Sequence, residues 1–458
     1  MTRSVTPTQP GERRVIANVA KGSIGNLIEW YDWYTYAAFS IYFAATFFPK
    51  GSPSAQLLNT AAIFAVGFLM RPLGGWLFGR FADRVGRRRS LVVSVTLMAF
   101  GSLLIALTPG YATIGVAAPT LLVVARLLQG LSVGGEYGTS ATYLSEVAST
   151  GKRGFYSSFQ YVTLIAGQLV ALGLQIVLQR ILSEQQLASW GWRIAFAIGA
   201  LGAVVAMYLR RSMDESESFR AESEQRGALG GEHRGERGGL RLLMQYPRQC
   251  LLVVGLTLGG TVCFYTFTSY LQRFMYLTSG IPNKTVTVIN FVALVVFVAL
   301  QPFAGALSDR IGRRPLLMFF GIGATLLTVP LLSLLAGTRD PLAAFFIMLA
   351  GLVIVSGYTS INAVVKAELF PTSIRALGVG LPYGLTVAIF GGSAEYVALA
   401  LKDAGHERAF FYYVAGCALI SLLVYSLMRE TSRNSPLDAP TGSGASTAQT
   451  SRAANPPD

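Results

Sequence analysis

"GRFADRVGRRRS", residues 79–90, and "GALSDRIGRRPL", residues 305–316, are one loop written twice. Gly79 aligns with Gly305, Asp83 with Asp309, Gly86 with Gly312 and Arg87 with Arg313, at an offset of 226. A second pair repeats at an offset of 222. "SEVASTGKRG" (145–154) matches "AELFPTSIRA" (367–376), which sets Glu146 against Glu368 and Arg153 against Arg375. Two independent matches at nearly one spacing indicate an internal duplication. The chain is read as two homologous halves.

The segments between these loops say what the halves are made of. Apolar runs of about 18–25 residues recur along the chain, each long enough to cross ~30 Å of hydrocarbon. The spacing predicts twelve spans, at about 22–46, 57–79, 91–108, 118–140, 155–181, 191–209, 249–273, 286–307, 316–336, 342–365, 377–400 and 408–428. The first loop follows the second span of each half, and the second loop follows the fourth. Of 458 residues, 52% are hydrophobic and only 13% charged, where a soluble domain carries about a quarter charged. The predicted fold is an all-α membrane protein of twelve transmembrane helices in two six-helix halves. Residues 22–209 form the first half and 249–428 the second. Residues 1–21 are an N-terminal segment, 210–248 a charged, Gly- and Ser-rich linker, and 429–458 a low-complexity tail read as disordered.

An even number of spans puts both termini on one side. With that side cytoplasmic, 27 of the 37 lysines and arginines lie in cytoplasmic segments and 8 outside, the positive-inside pattern of an inner, multi-pass membrane protein. This bias accounts for most of the +14 net charge, so nucleic acid is not needed as a partner; anionic lipid headgroups suffice. The N-terminal segment lacks the apolar core of a cleaved signal peptide. Cys250, Cys263 and Cys417 fall in spans with no disulfide or metal spacing, and His233 and His406 fall in loops. No phosphate-binding loop and no nucleophile–base set stands out. The expectation is a monomer that is not an enzyme and uses no cofactor or metal.

Paired G-x-x-x-D-R-x-G-R-R loops on a 6+6 scaffold resemble the major facilitator superfamily. "GNLIEWYDWYTYAAFSIYFAATFFP", "FLMRPLGGWLFGRFADRVGRR", "ARLLQGLSVGGEYGTSATYLSEVA" and "KAELFPTSIRALGVG" resemble its metabolite:proton symporter branch. "GFYSSFQYVTLIAGQ", "CFYTFTSYLQ" and "IFGGSAEYVALALK" look most like branch members that carry α-ketoglutarate. The likeness runs from about residue 15 to 428. It implies proton-coupled uptake of a dicarboxylate by alternating access, with α-ketoglutarate first among the substrates. Citrate, shikimate and proline or betaine are the alternatives within the branch, and proton-coupled efflux the alternative outside it.

Two cations sit deep inside predicted spans, Arg71 and Arg126; Arg180, Arg193, Arg273 and Arg408 lie at the outer ends of theirs. A charge deep in hydrocarbon costs about 2.5–3.5 kcal/mol on insertion scales, so it marks function or an internal ion pair. A guanidinium grips a carboxylate through two parallel N–H donors and stays charged, which suits both to a diacid. Tyr31, Gln129, Tyr265 and Tyr358 are further candidate substrate contacts. Asp32, Glu29 and Glu136 are the candidate proton carriers, since a buried carboxylate near an arginine gains and loses a proton as the arginine's partner comes and goes. Asp83, Arg87, Glu146 and Arg153, with Asp309, Arg313, Glu368 and Arg375, are read as a cytoplasmic gate whose ion pairs hold the halves together. Lys366 is expected to snorkel to the interface. Gly75 and Gly79, and Gly130, Gly134 and Gly138, have the four-residue spacing of close helix contacts.

Overall fold

The computed structural model describes residues 12–49, 53–149, 151–216, 219–220, 239–432, 435 and 437. Among the described residues the chain forms twelve long helical rods. In the first half they are α1 (Glu12–Phe47), α2 (Pro53–Val85), α3 (Arg87–Leu107), α4 (Ala117–Val147), α5 (Arg153–Ile181) and α6 (Glu184–Arg211). In the second they are α7 (Pro247–Leu277), α8 (Asn283–Ile311), α9 (Arg313–Ala336), α10 (Pro341–Ala367), α11 (Arg375–Lys402) and α12 (Glu407–Leu427). Eleven of them are long and apolar enough to cross a membrane. The exception is α1, which spends its apolar positions on Asn26, Glu29, Tyr31, Asp32 and Tyr34, all buried or half-buried. Its partners α4, α5 and α6 enclose those groups, so it needs less lipid-facing apolar surface.

Each predicted span falls on one of these rods, with 91–108 and 408–428 running one residue past the C-termini of α3 and α12, and many rods run further at the end that carries the duplicated loops. This motif end is where α2 turns into α3 and α8 into α9. Both turns rest on a glycine with positive φ, Gly86 at 115° and Gly312 at 97°, a region that side-chain-bearing residues rarely adopt. The halves meet along two seams, α2 against α11 and α5 against α8. On the first seam a Cβ at Gly75 would come within 2.6 Å of the Gly380 carbonyl and one at Gly79 within 2.7 Å of Leu377 Cα; from the adjoining α4, one at Gly138 would come within 2.6 Å of Gly380 Cα. Gly130 faces Gly67, and Gly134 faces the backbone of Arg71, between α4 and α2. The small-residue spacing thus seals both a helix pair and the seam between halves.

Parts of the linker and tail are ordered. Arg210 belongs to α6 and is fully buried. Glu215 accepts hydrogen bonds from the N–H groups of Arg87 (2.9 Å) and Arg88 (3.2 Å) at the start of α3. Glu430 does the same for Arg313 (2.9 Å) and Arg314 (3.0 Å) at the start of α9. Free N–H groups of a helix's first turn favour an anion, and these two glutamates supply one each. Burial alone would raise the Glu430 carboxyl; the hydrogen bonds from Arg313, Arg314 and Ser432 outweigh it and hold the group below the ordinary carboxylate range. Residues 429–432, 435 and 437, within the stretch expected to be disordered, therefore have a described structure. The rest of the linker (221–238), residues 1–11 and residues 438–458 lie outside the described residues.

Candidate functional site

α1 brings an aromatic wall into the centre of the bundle, and both predicted arginines pack on it. The Arg71 guanidinium lies 4.2 Å from the ring centre of Phe68, 4.6 Å from Trp33 and 5.3 Å from Trp30. Arg126 lies 4.3 Å from Trp33, 4.3 Å from Tyr36 and 5.0 Å from Phe64. One indole, Trp33, thus serves both cations. Such contacts are worth about 0.5–2 kcal/mol each, less than a full counter-ion would supply.

Among the described residues, neither arginine has a carboxylate within 4.0 Å. Arg71 donates from Nη1 to the Tyr265 hydroxyl (3.2 Å), its one hydrogen bond and one that crosses between the halves. Its Nε and Nη2 are buried without partners. Arg126 donates from Nη1 to Gln129 Oε1 (2.8 Å), and its Nε and Nη2 are likewise unpartnered. Gln129 in turn donates to Ser102 (2.9 Å), so it orients Arg126. Tyr265 opens a widened turn of α7, Thr266–Tyr270, and a second such turn in α11, Val387–Gly391, packs beside it. Turns of this kind recur at functional sites.

Asp32 is fully buried, and neither carboxylate oxygen has a hydrogen-bond partner. Ser102 and Arg126 are its polar neighbours, and Gly199 of α6 leaves it room. Glu29 and Glu136 belong to another cluster. Arg210 bonds Glu136 through both terminal nitrogens and lies 3.7 Å from Glu29, whose Oε1 also accepts from Ser94 (3.0 Å) and Ser132 (3.1 Å). Arg210 is a third basic group within the bundle, missed in the sequence because it opens a visibly charged linker. The Tyr31 hydroxyl donates to the Ala195 carbonyl (2.8 Å) and braces α1 against α6. Tyr358 sits in the second half, 3.4 Å from the ammonium of Lys366.

Lys366 corrects the sequence reading. It does not snorkel to the interface: it is fully buried, because α10 breaks after Thr359, resumes at Asn362 and carries the lysine inward beneath tyrosine rings.

At the motif end the eight predicted gate residues assemble as two related clusters. In one, Arg87 pairs with Asp83 (3.2 Å) and Glu146 (3.2 Å), and Glu146 reaches across to Arg375 (2.6 Å). Asp83 accepts from the N–H groups of Ala376 (3.1 Å) and Leu377 (2.9 Å), the first turn of α11. In the other, Arg313 pairs with Asp309 (2.7 Å) and Glu368 (3.4 Å), and Asp309 accepts from Gly154 (2.7 Å) and Phe155 (2.9 Å) at the start of α5. Arg153 interacts with Glu368 and donates to the Leu437 carbonyl (3.1 Å). Each half's aspartate thus caps a helix of the other. Ser216 donates to Glu146, and Thr431 to Glu368, so Glu215–Ser216 and Glu430–Thr431 form a third repeated pair. The sequence carries it as two residues at a different offset, 215, too short a match to find unaided.

The closed motif end gives a prediction. Asp83→Asn leaves the α11 N-terminus without its anion and Arg87 with Glu146 as its remaining carboxylate, a loss of about 2–5 kcal/mol for a buried charged pair. Spin labels at the exposed positions 89 and 310 should then report a population shifted at least tenfold toward longer distances. An unchanged distance distribution would show that Asp83 does not hold the halves.

A family model described as Sugar (and other) transporter matches residues 19–228 and again 228–436. The chain is 53% identical over 421 residues to the alpha-ketoglutarate permease of Escherichia coli K12, covering 92% of this chain and 95% of that protein. It is 34% identical to a citrate-proton symporter of Klebsiella pneumoniae, over 89% of this chain and 90% of that one. It is 30% identical to the proline/betaine transporter of E. coli K12, over 96% and 88%. Among solved structures, the proton:xylose symporter XylE superimposes with a TM-score of 0.75 at 18% identity, over 93% of this chain and 98% of that one.

Proposed function

Since the chain belongs to the Sugar (and other) transporter family of the major facilitator superfamily, we propose that it imports a dicarboxylate, α-ketoglutarate, together with protons by alternating access. It is a carrier and not an enzyme. The observation that carries the proposal is the pair Arg71 and Arg126: two desolvated guanidinium groups with free N–H donors and no protein carboxylate in contact. Their missing counter-ions are the substrate's. A cationic or neutral cargo gains nothing from them, which weighs against drug efflux and sugar. The permease relative has the name that fits this chemistry.

Asp32 supplies the coupling. It is the one of the three candidate acids whose oxygens are unpartnered and whose nearby cation, Arg126, is not in contact with it. When a substrate carboxylate takes Arg126, Asp32 loses the cation's field and a proton replaces it. Proton and anion then travel together. In the cluster of Glu29 and Glu136, Arg210 serves both acids and supports α1 against α4 and α6. In this reading the basic motif end and both termini face the cytoplasm, the gate is closed on that side, and the protein works as a monomer with its site between residues 22–209 and 249–428.

A dianion entering against a negative interior is opposed by about 2.3 kcal/mol per charge per 100 mV, so an energy source is required. The test is a counterflow panel of mono-, di- and tricarboxylates in proteoliposomes, with the external pH recorded. We expect α-ketoglutarate to exchange best and its uptake to alkalinise the outside. Uptake at full rate with no proton movement would end the symport reading, and preference for a betaine or citrate would move the substrate within the branch.

A further inference from the structure

We infer that Lys366 is the anchor for the substrate's second carboxylate, the first being shared by Arg71 and Arg126 on their common Trp33 ring, and sets the site's preference for diacids over monoacids; the inference rests on the dicarboxylate reading above. Lys366 stands in the second half, and no role in transport follows from the two arginines alone. Its ammonium is 3.0 Å from Asn362 Oδ1, 3.1 Å from the Tyr137 hydroxyl and 3.4 Å from the Tyr358 hydroxyl. All three are neutral. Rings of Tyr383 and Tyr137 lie 4.2 and 5.0 Å from the nitrogen. Among the described residues no aspartate or glutamate comes within 4.0 Å of it. The position resembles that of the arginines: a fully desolvated cation held by hydroxyls, an amide and aromatic faces, with no anion.

A buried charge without a counter-ion is costly and persists where it has a ligand to meet. The neighbourhood says which ligand. Tyr137 comes from α4 in the first half and stacks on Tyr383 of α11, ring centres 3.5 Å apart and 10° from parallel. Tyr383 is also a neighbour of Arg71. One ring pair at the seam therefore packs on an ammonium of the second half and has a guanidinium of the first half as a neighbour. A ligand with an acid at each end satisfies both cations and ties the halves together; a monoacid satisfies only one. Arginine suits the bidentate end, and lysine, a point charge on a flexible stem, tolerates diacids of different length.

The test uses the full chain in proteoliposomes. Affinity is measured for α-ketoglutarate and for 2-oxopentanoate, a monoacid of the same carbon count, with wild type, Lys366→Gln and Lys366→Arg. We expect the diacid to bind Lys366→Gln at least 30-fold more weakly, the monoacid to change less than threefold, and Lys366→Arg to recover part of the preference. Should Lys366→Gln fail to fold, Lys366→Met, which keeps the stem and removes the charge, carries the same comparison. A parallel loss for both ligands, or no loss for either, overturns the inference and leaves the dicarboxylate reading intact. A wild type that does not favour the diacid overturns both.

Discussion

Dicarboxylate uptake by Arg71→Gln is expected to fall to background, with binding weakened by about three orders of magnitude. Removing one member of a buried, hydrogen-bonded charge pair costs about 2–5 kcal/mol, or about 30-fold to several-thousandfold in affinity. The upper part of that range applies here, because Arg71 is only 2% exposed and two of its nitrogens have no protein partner. In the empty protein the same change removes an uncompensated buried charge. The variant should therefore melt in detergent no earlier than the wild type while losing the shift that the wild type gains from dicarboxylate. That divergence separates a ligand anchor from a structural arginine, whose loss would lower the melting temperature directly. Arg71→Lys should lie between, since it keeps the charge and loses the fork. Binding by Arg71→Gln within threefold of wild type would rule out the anchor.

The architecture was legible because its signals are long. Twelve apolar runs and a loop repeated at 226 residues require a duplicated helical bundle, and no predicted span leaves its rod by more than one residue. Arg71 and Arg126 stood out as lone charges in apolar surroundings. Lys366 and Arg210 did not, because each lies where an apolar run gives way to polar sequence and looks like the rim of a span. Their burial follows from tertiary facts: the break in α10 at Ser360 and Ile361, and the meeting of Arg210 with Glu136 on a different helix. The separation of Asp32 from Glu29 was hidden for the same reason. Three apart on one helix, they share a face, yet Ser94, Ser132 and Arg210 receive one and Gly199 leaves a space for the other.

Asp32→Asn is expected to abolish accumulation driven by a proton gradient while leaving exchange of dicarboxylate across the membrane in place. Asparagine has the size of aspartate and no proton to carry, so the site keeps its shape and Arg126 keeps its donors. The energetic consequence is a change of sign. One proton with a dianion leaves one net negative charge, so a gradient of two pH units, worth about 2.7 kcal/mol, outweighs the about 2.3 kcal/mol by which an interior at −100 mV opposes entry. Without the proton, the same interior opposes the dianion by about 4.6 kcal/mol, so the same carrier becomes a route for loss. Vesicles preloaded with dicarboxylate, held inside-negative and two pH units more acidic outside, should therefore empty through Asp32→Asn and fill through the wild type, with no external alkalinisation in the variant. Continued accumulation with proton movement would place the carrier elsewhere. Glu29 and Glu136 are then next, and the cation they share, Arg210, becomes the group whose partner must change during the cycle.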